Sequence, residues 1–245
     1  MFSSDVAYDK FMGRFSTRLA PVFADFAGIE SGDRVLDVGA GTGALTAELV
    51  RRDADVSAVD PSPEFAATLQ RRFPDIDARQ GMGEQLPWAD GSFDAALAQL
   101  VVAFMDDAPA GVAEMLRVVR PGGVVAVCMW TRDDMQLLAA INRTQAVISP
   151  ERSADVSPYR SPDAALGLLG PDLQVETLTV EADYSGFDDF WSALGGGAGP
   201  AGAWLLSLSD EQRAAARDEL FRQLGEPDGQ FTLTGNVWAA RVTRA

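Results

Sequence analysis

Asp37, Gly39, Gly41 and Asp60 are the residues whose types and spacing best suit chemistry. The first three lie in "VLDVGAGTGALT" (35–46), where an apolar run meets a glycine at every second position from 39 to 43. Glycine has no Cβ, so such a loop brings a ligand against bare backbone and tolerates positive φ ahead of a helix N-terminus. A nucleotide-type cofactor is its natural guest. Spacing alone leaves two classes open, because Gly39, Gly41 and Ala44 satisfy the G-x-G-x-x-G/A pattern of dinucleotide sites. Asp60 also follows at about the 20-residue interval of a ribose-binding carboxylate.

Asp37 separates the two classes. It stands two residues before the first glycine, at the carboxyl end of a strand, where the pyrophosphate of NAD would meet like charge at a cost on the order of several kcal/mol. A ligand with an ammonium or sulfonium group would be attracted instead. S-adenosylmethionine carries both, has a ribose for Asp60, and has no phosphate. The competing uses are structural: Asp37 as a cap on the following turn, and Asp60 as a turn residue before Pro61.

The elements that must position these residues alternate in type. Strand patterns at 33–38, 55–60, 76–80, 93–100 and 123–130 are interleaved with helical patterns at 44–52, 63–73 and 109–119. Val112, Met115, Leu116 and Val119 form an i, i+3, i+4, i+7 stripe suited to packing on a sheet. Such alternation predicts right-handed βαβ units and a parallel, doubly wound α/β sheet. Before the first strand, Tyr8, Phe11, Met12, Phe15, Leu19, Val22, Phe23 and Phe26 recur every three or four residues, which predicts a helical cover broken near Pro21. After residue 132, helices near 134–148 and 162–169 lead to a strand at 173–183 and the aromatic cluster "FDDFW" (187–191). The glycine-dense 195–202 reads as a flexible connection, with a lid over 187–202 as the alternative. A helix at 209–224 and a strand at 230–242 complete the pattern. "RPGG" (120–123) reads as structural, Pro121 ending the helix and the glycines turning the chain into the next strand.

Composition narrows the chemistry. The 245 residues, 47% of them hydrophobic, suit one α/β domain, here divided into a helical cover (1–30), a cofactor core (31–131) and a substrate side (132–245). With no histidine, Ser-His-Asp and Cys-His arrangements are excluded. A net charge of −16 disfavours nucleic acid and anionic lipid and favours a neutral or cationic small-molecule acceptor. No apolar run is long enough to span a membrane, no secretory signal pattern opens the chain, and the single cysteine, Cys128, reads as a buried strand residue. The expected compartment is the cytoplasm.

Four segments in order, "VLDVGAGTGALT", Asp60 closing the second strand, "QGMGEQLPWADGSFDAALAQL" and "LRVVRPGGVVAV", resemble the successive motifs of class I S-adenosylmethionine-dependent methyltransferases. The branch most resembled is the small-molecule one that includes ubiquinone and menaquinone C-methyltransferases, over roughly 5–131. The resemblance implies a Rossmann-like, seven-stranded, mostly parallel sheet with an antiparallel C-terminal strand. It implies that Gly39, Ala40 and Gly41 meet the methionine and ribose parts through backbone, Asp37 the amino end, and Asp60 the ribose hydroxyls. Pro61 and Ser62 would border the adenine. Many relatives have aspartate where this chain has Met82, so adenine is expected to rest on Met82 and on backbone near Gly83; Glu84 is either a ligand contact or a solvated turn residue. Gln99, ending the fourth strand, would face the methionine part. From the N-terminal helices Tyr8 and Arg14 would reach the cofactor, Arg14 through the methionine carboxylate, with a surface ion pair as its alternative.

The reaction implied is in-line displacement of the sulfonium methyl by an acceptor held about 3 to 3.5 Å away, leaving S-adenosylhomocysteine. Where a base is needed, Asp106, Asp107, Tyr159, Tyr184 and Asp188 are all candidates, and the sequence does not choose among them. Trp130, Tyr159, Phe187, Phe190 and Trp191 suggest an apolar or flat acceptor, against core packing as the other reading. Two alternatives remain: a protein that binds S-adenosylmethionine or S-adenosylhomocysteine without turnover, and an NAD-dependent oxidoreductase.

Overall fold

A computed structural model describes residues 5–151, 159, 161–197 and 199–245. In chain order its elements are α1 (Asp5–Phe11), α2 (Gly13–Ala27), β1 (Arg34–Val38), α3 (Ala44–Arg51), β2 (Asp55–Asp60), α4 (Pro63–Arg72) and β3 (Asp77–Gln80). Then follow β4 (Phe93–Gln99), a 3-10 turn (Val102–Phe104), α5 (Ala108–Val118), β5 (Val119–Met135), α6 (Gln136–Ile148), α7 (Asp163–Leu169) and β6 (Gln174–Tyr184). α8 (Phe187–Gly195), α9 (Gly199–Ser207), α10 (Asp210–Gln223) and β7 (Phe231–Thr243) close the chain.

The strands form one sheet in the order β3-β2-β1-β4-β5-β7-β6. β1 runs parallel to β2 and β4, β2 to β3, and β4 to β5. The sheet is mostly parallel with one antiparallel strand, the Rossmann-like α/β architecture the sequence predicts. Val35, Leu36 and Val38 of β1 are all buried, because a strand between parallel neighbours has helices over both faces. The order reverses between β1 and β4, and beyond the carboxyl ends of strands at such a reversal an open α/β sheet leaves a crevice.

The chain divides into two compact units: a core unit of Ser16–Thr131, Ser157–Leu178 and Val237–Ala245, and a second unit of Met1–Phe15, Arg132–Val156 and Thr179–Asn236. In the core unit, Ser62 caps α4 by accepting from the Phe65 amide, with Pro63 in its first turn. Asp107 likewise caps α5 through the Ala110 amide. Arg52 joins α3 to α2 by donating to the Pro21 carbonyl (3.0 Å) and to Asp25 (2.7 Å). In the second unit, Tyr184, Phe187, Phe190, Phe221 and Phe231 pack ring against ring at centroid distances of 5.0–6.2 Å. There α10 starts with a reciprocal capping box between Ser209 and Gln212.

Three local expectations are corrected. The N-terminal helices break at Met12, and Pro21 lies inside α2; the Arg52 bond to its carbonyl supports the chain where proline perturbs the helix. The strand after α5 starts at Val119, before "RPGG", and those residues form a bulge: Phe93 pairs with Val119 but Ala95 with Val124. The glycine-dense 195–202 is largely helical among the described residues, with α8 ending at Gly195 and α9 starting at Gly199. Gly202 explains this, since a Cβ there would stand 2.6 Å from the Gly197 Cα.

The bulge predicts a contrast between two glycines. A Cβ at Gly123 would meet Val119 Cγ1 at 2.5 Å, whereas at Gly195 nothing lies within 4 Å. Gly123→Ala should lower unfolding free energy by about 1–3 kcal/mol, and Gly195→Ala, at a helix end, should leave it unchanged or raise it by about 0.5 kcal/mol. Urea unfolding of both variants checks the pair.

Candidate functional site

The loop between β1 and α3 contains three glycines at positive φ, each for a different reason. Gly39 (φ 70°) packs so tightly that a Cβ would stand 2.8 Å from Val101 Cβ. Gly43 (φ 92°), which caps α3, would place a Cβ 2.5 Å from the Phe73 ring. At Gly41 (φ 58°) a Cβ would meet nothing within 4 Å. Close helix packing therefore falls on Gly43 and not on Ala44, the third position of the dinucleotide fingerprint. Gly41 is the glycine whose missing side chain leaves open space.

The amides of this loop are already engaged. Gly39 N and Ala40 N donate to the Val59 carbonyl at 2.8 and 3.1 Å, and Gly43 N to Ala40 O at 2.9 Å. Gly41 N donates to Asp60 Oδ2 at 2.8 Å. The other oxygen of Asp60 accepts from Ser62 N at 2.9 Å, so this carboxylate ties the glycine loop to the start of α4. A carboxylate has about four lone-pair sites, and two of them remain for hydroxyl donors.

Asp37 is 1% exposed and accepts the Thr46 hydroxyl at 2.7 Å and the Thr46 amide, so it does cap the first turn of α3. Burial pushes its carboxyl up to about 7, Thr46 opposes this, and the nearby Asp60 adds to it. Burial also raises Asp60, against the two amides that favour its ionised form. Two buried carboxylates beside an open glycine suit a cation with hydroxyl donors.

The loop after β3 lies against the same strand ends. Gly81 N donates to Asp60 O at 3.1 Å, and a Cβ at Gly83 would stand 3.4 Å from Val38 Cγ1. Met82 is 43% exposed here, as an apolar surface for a flat group requires. Pro61 accepts Gln80 Nε2 at 3.2 Å through its carbonyl. Glu84 accepts the Asp107 amide at 3.2 Å, so the turn reading fits it better than a ligand contact.

At the end of β4, Gln99 donates its Nε2 to Ser16 O at 3.1 Å. This holds the amide in one orientation, and its Oε1 is buried with no partner among the described residues. A buried acceptor left unpaired costs about 1–3 kcal/mol, so a ligand donor would stabilise it. Leu100 follows with φ 63°, a backbone strain typical of functional sites. The sequence reading missed Leu100, since a leucine does not announce a positive φ. It also missed Thr46, although a threonine nine residues after Asp37 was a legible signal.

Tyr8 and Arg14 belong to the second unit. Tyr8 is half-buried on α1. Arg14 forms a two-pronged ion pair with Asp189 (2.9 and 2.5 Å), donates to the carbonyls of Asp183 and Lys10, and lies 4.7 Å over the Tyr184 ring. It thus takes the ion-pair alternative in this structure. Of the candidate bases, Asp107 is the α5 cap and Asp188 pairs with Arg217 at 2.5 Å. Burial drives Tyr184 far above the usual phenol range. Phe187 and Phe190 are core residues with Trp191 stacked on Phe187, and Trp130 is buried in the core unit. Tyr159 accepts Trp238 Nε1 through its carbonyl. Beside Ser185–Asp189, Arg217, Asp218 and Phe221 the second unit has a cavity of about 450 Å³. No helix among the described residues is long and apolar enough to cross a membrane.

Part of the chain is similar to known proteins. Residues 36–127 match the family model described as "Methyltransferase domain". An uncharacterized methyltransferase of Mycobacterium tuberculosis is 46% identical over 101 residues, 41% of this chain and 41% of the relative. A demethylmenaquinone methyltransferase of Beutenbergia cavernae is 44% identical over 103 residues, 42% of this chain and 43% of the relative. The chain thus spans about two-fifths of the length of these relatives. A candidate methyltransferase of an antibiotic biosynthesis pathway in Anabaena variabilis shares the fold, with a TM-score of 0.65, 16% identity, and coverage of 93% of this chain and 99% of that one. Over residues 36–127 the chain is therefore similar to a methyltransferase domain.

The titration of Asp37 has a measurable consequence. Folding raises its pKa from 3.8 to about 7, so between those values the folded protein keeps a proton that the unfolded chain has released. The contribution of Asp37 to stability therefore falls as pH rises through that window. Asp37→Asn should gain on the wild type by about 1.4 kcal/mol per pH unit between pH 5 and 7, then level off. Urea unfolding of both proteins across that range measures the difference, and a pH-independent difference would contradict the assignment.

Proposed function

We propose that the methyltransferase domain at residues 36–127 binds S-adenosylmethionine beyond the carboxyl ends of β1, β2 and β4 and transfers its methyl to a small, apolar or flat acceptor. The observation that carries this reading is the state of the glycine loop. The amides of Gly39, Ala40, Gly41 and Gly43 already donate within the fold, so a pyrophosphate would find none of these four free, with two buried carboxylates opposing it. A cation without phosphate suits the same groups.

S-adenosylmethionine supplies a methyl already activated on a sulfonium sulfur. What remains for the chain is to bind, orient and exclude water. Asp60 is held by Gly41 N and Ser62 N with lone pairs left for two ribose hydroxyls. Asp37 and the unpartnered Oε1 of Gln99 take the cationic amino end, and Gly39, Ala40 and Gly41 leave the backbone close to the methionine and ribose parts. Met82, Pro61 and Gly83 border the adenine. The acceptor atom, oxygen, carbon or nitrogen, is left open. The name of the Beutenbergia relative supports a flat acceptor, and the net charge of −16 supports a small molecule over nucleic acid.

Calorimetric titration tests this function. S-adenosylmethionine and S-adenosylhomocysteine should bind with micromolar Kd, NAD should not, and Asp60→Ala should weaken both sulfur ligands at least tenfold, the effect of about 1.4 kcal/mol in lost hydrogen bonds to a charged group. Binding of NAD alone would overturn the reading.

A further inference from the structure

Thr46 is fully buried at the third position of α3, and both its donors, hydroxyl and amide, point to one group, the carboxylate of Asp37. A threonine in a helix interior more often turns its hydroxyl to solvent or to its own backbone. Here the hydroxyl crosses from helix to strand at 2.7 Å. We propose that Thr46 is a positioning residue of the cofactor site, which holds the Asp37 carboxylate ready for the cationic end of the bound cofactor and makes cofactor binding release a proton. This rests on the S-adenosylmethionine reading above.

Among the described residues the groups that act on the Asp37 carboxyl are Thr46 and Asp60, and the cation that reaches the glycine loop, Arg72 of α4, is engaged with the Thr42 carbonyl at 2.8 Å. From β2, Asp60 faces it and adds negative charge, while Asp55 stands at the far end of that strand, paired in register with Arg34. On β4 the charged residue is Asp94, engaged with Arg34 and Arg120 at the opposite end of the sheet. On α3, Glu48 is taken up by Arg51 and Arg52. The two Thr46 donors therefore oppose burial alone, and in the free protein the carboxyl holds its proton to about pH 7. A cation entering beside it favours the ionised form, so the proton leaves as the ligand arrives. Cofactor affinity should rise with pH up to a break near 7 and fall again above about pH 8, where the ligand's own amino group loses its proton.

The experiment is calorimetry of S-adenosylmethionine binding from pH 5.5 to 8.5, in two buffers of different ionisation heat, on wild type, Thr46→Val and Thr46→Ser. The carboxyl of Asp37 is also titrated by carbon NMR in the free proteins. Wild type should release close to one proton per ligand at pH 6 and, with Asp37 already ionised, take a proton up onto the ligand's amino group at pH 8.5. Thr46→Val should move both the affinity break and the carboxyl titration up by about one pH unit, with affinity about tenfold weaker below the break; Thr46→Ser should restore both. A wild type that binds without releasing a proton overturns the proposal even where Thr46→Val fails to fold. Identical profiles for wild type and Thr46→Val overturn it and leave the cofactor reading standing. Absence of binding to wild type at every pH overturns both.

Discussion

One carboxylate fixes the geometry of the crevice. Asp60 ends β2 with each of its oxygens on a backbone amide, Gly41 N from one loop and Ser62 N from the next. The glycine loop cannot shift without breaking one of those bonds, and α4 cannot start elsewhere, because Ser62 is also its cap. Val59 adds to the constraint by accepting from Gly39 and Ala40. The end of β2 therefore shapes the loop between β1 and α3, a tertiary effect that no local propensity contains.

The same arrangement determines what can enter. Loops of this outline bind phosphate when their amides point outward unpaired. Here the amides of Gly39, Ala40, Gly41 and Gly43 are taken up within the fold, and the acceptors beside them are the lone pairs of Asp60, the carboxylate of Asp37 and the unpartnered Oε1 of Gln99. A buried acceptor without a donor, as Gln99 Oε1 is among the described residues, is costly, and a ligand bringing N–H, O–H or positive charge would relieve that cost. Leu100 at positive φ belongs to this balance, since strain at a strand end persists where the surrounding structure imposes it.

Much of the fold was legible because the residues involved obey simple periods. β1, β2 and β4 are short apolar runs, and α5 shows its stripe in Val112 and Met115. Asp37, Gly41 and Asp60 were legible through type and spacing. What the sequence hid depends on contacts between distant residues. Pro21 reads as a break, yet it lies inside α2, where Arg52 at the end of α3 donates to its carbonyl. "RPGG" reads as a turn, yet pairing with β4 draws it into a bulged strand. Arg14 reads as a partner for the methionine carboxylate or as half of a surface ion pair, and the partner it has, Asp189, stands 175 residues away. The glycines at 195–202 read as a linker because a glycine needed for close approach to a neighbouring backbone, as Gly202 is to Gly197, looks the same as one that confers flexibility.

The most direct test is a crystal structure of the protein grown with S-adenosylhomocysteine. The account predicts both ribose hydroxyls on Asp60, with its bonds to Gly41 N and Ser62 N intact, and the amino end of the ligand at Gln99 Oε1 on the Asp37 side of the loop. A ligand whose ribose lies away from Asp60, or a glycine loop whose amides have turned outward to meet it, would contradict the claim that this carboxylate organises the site.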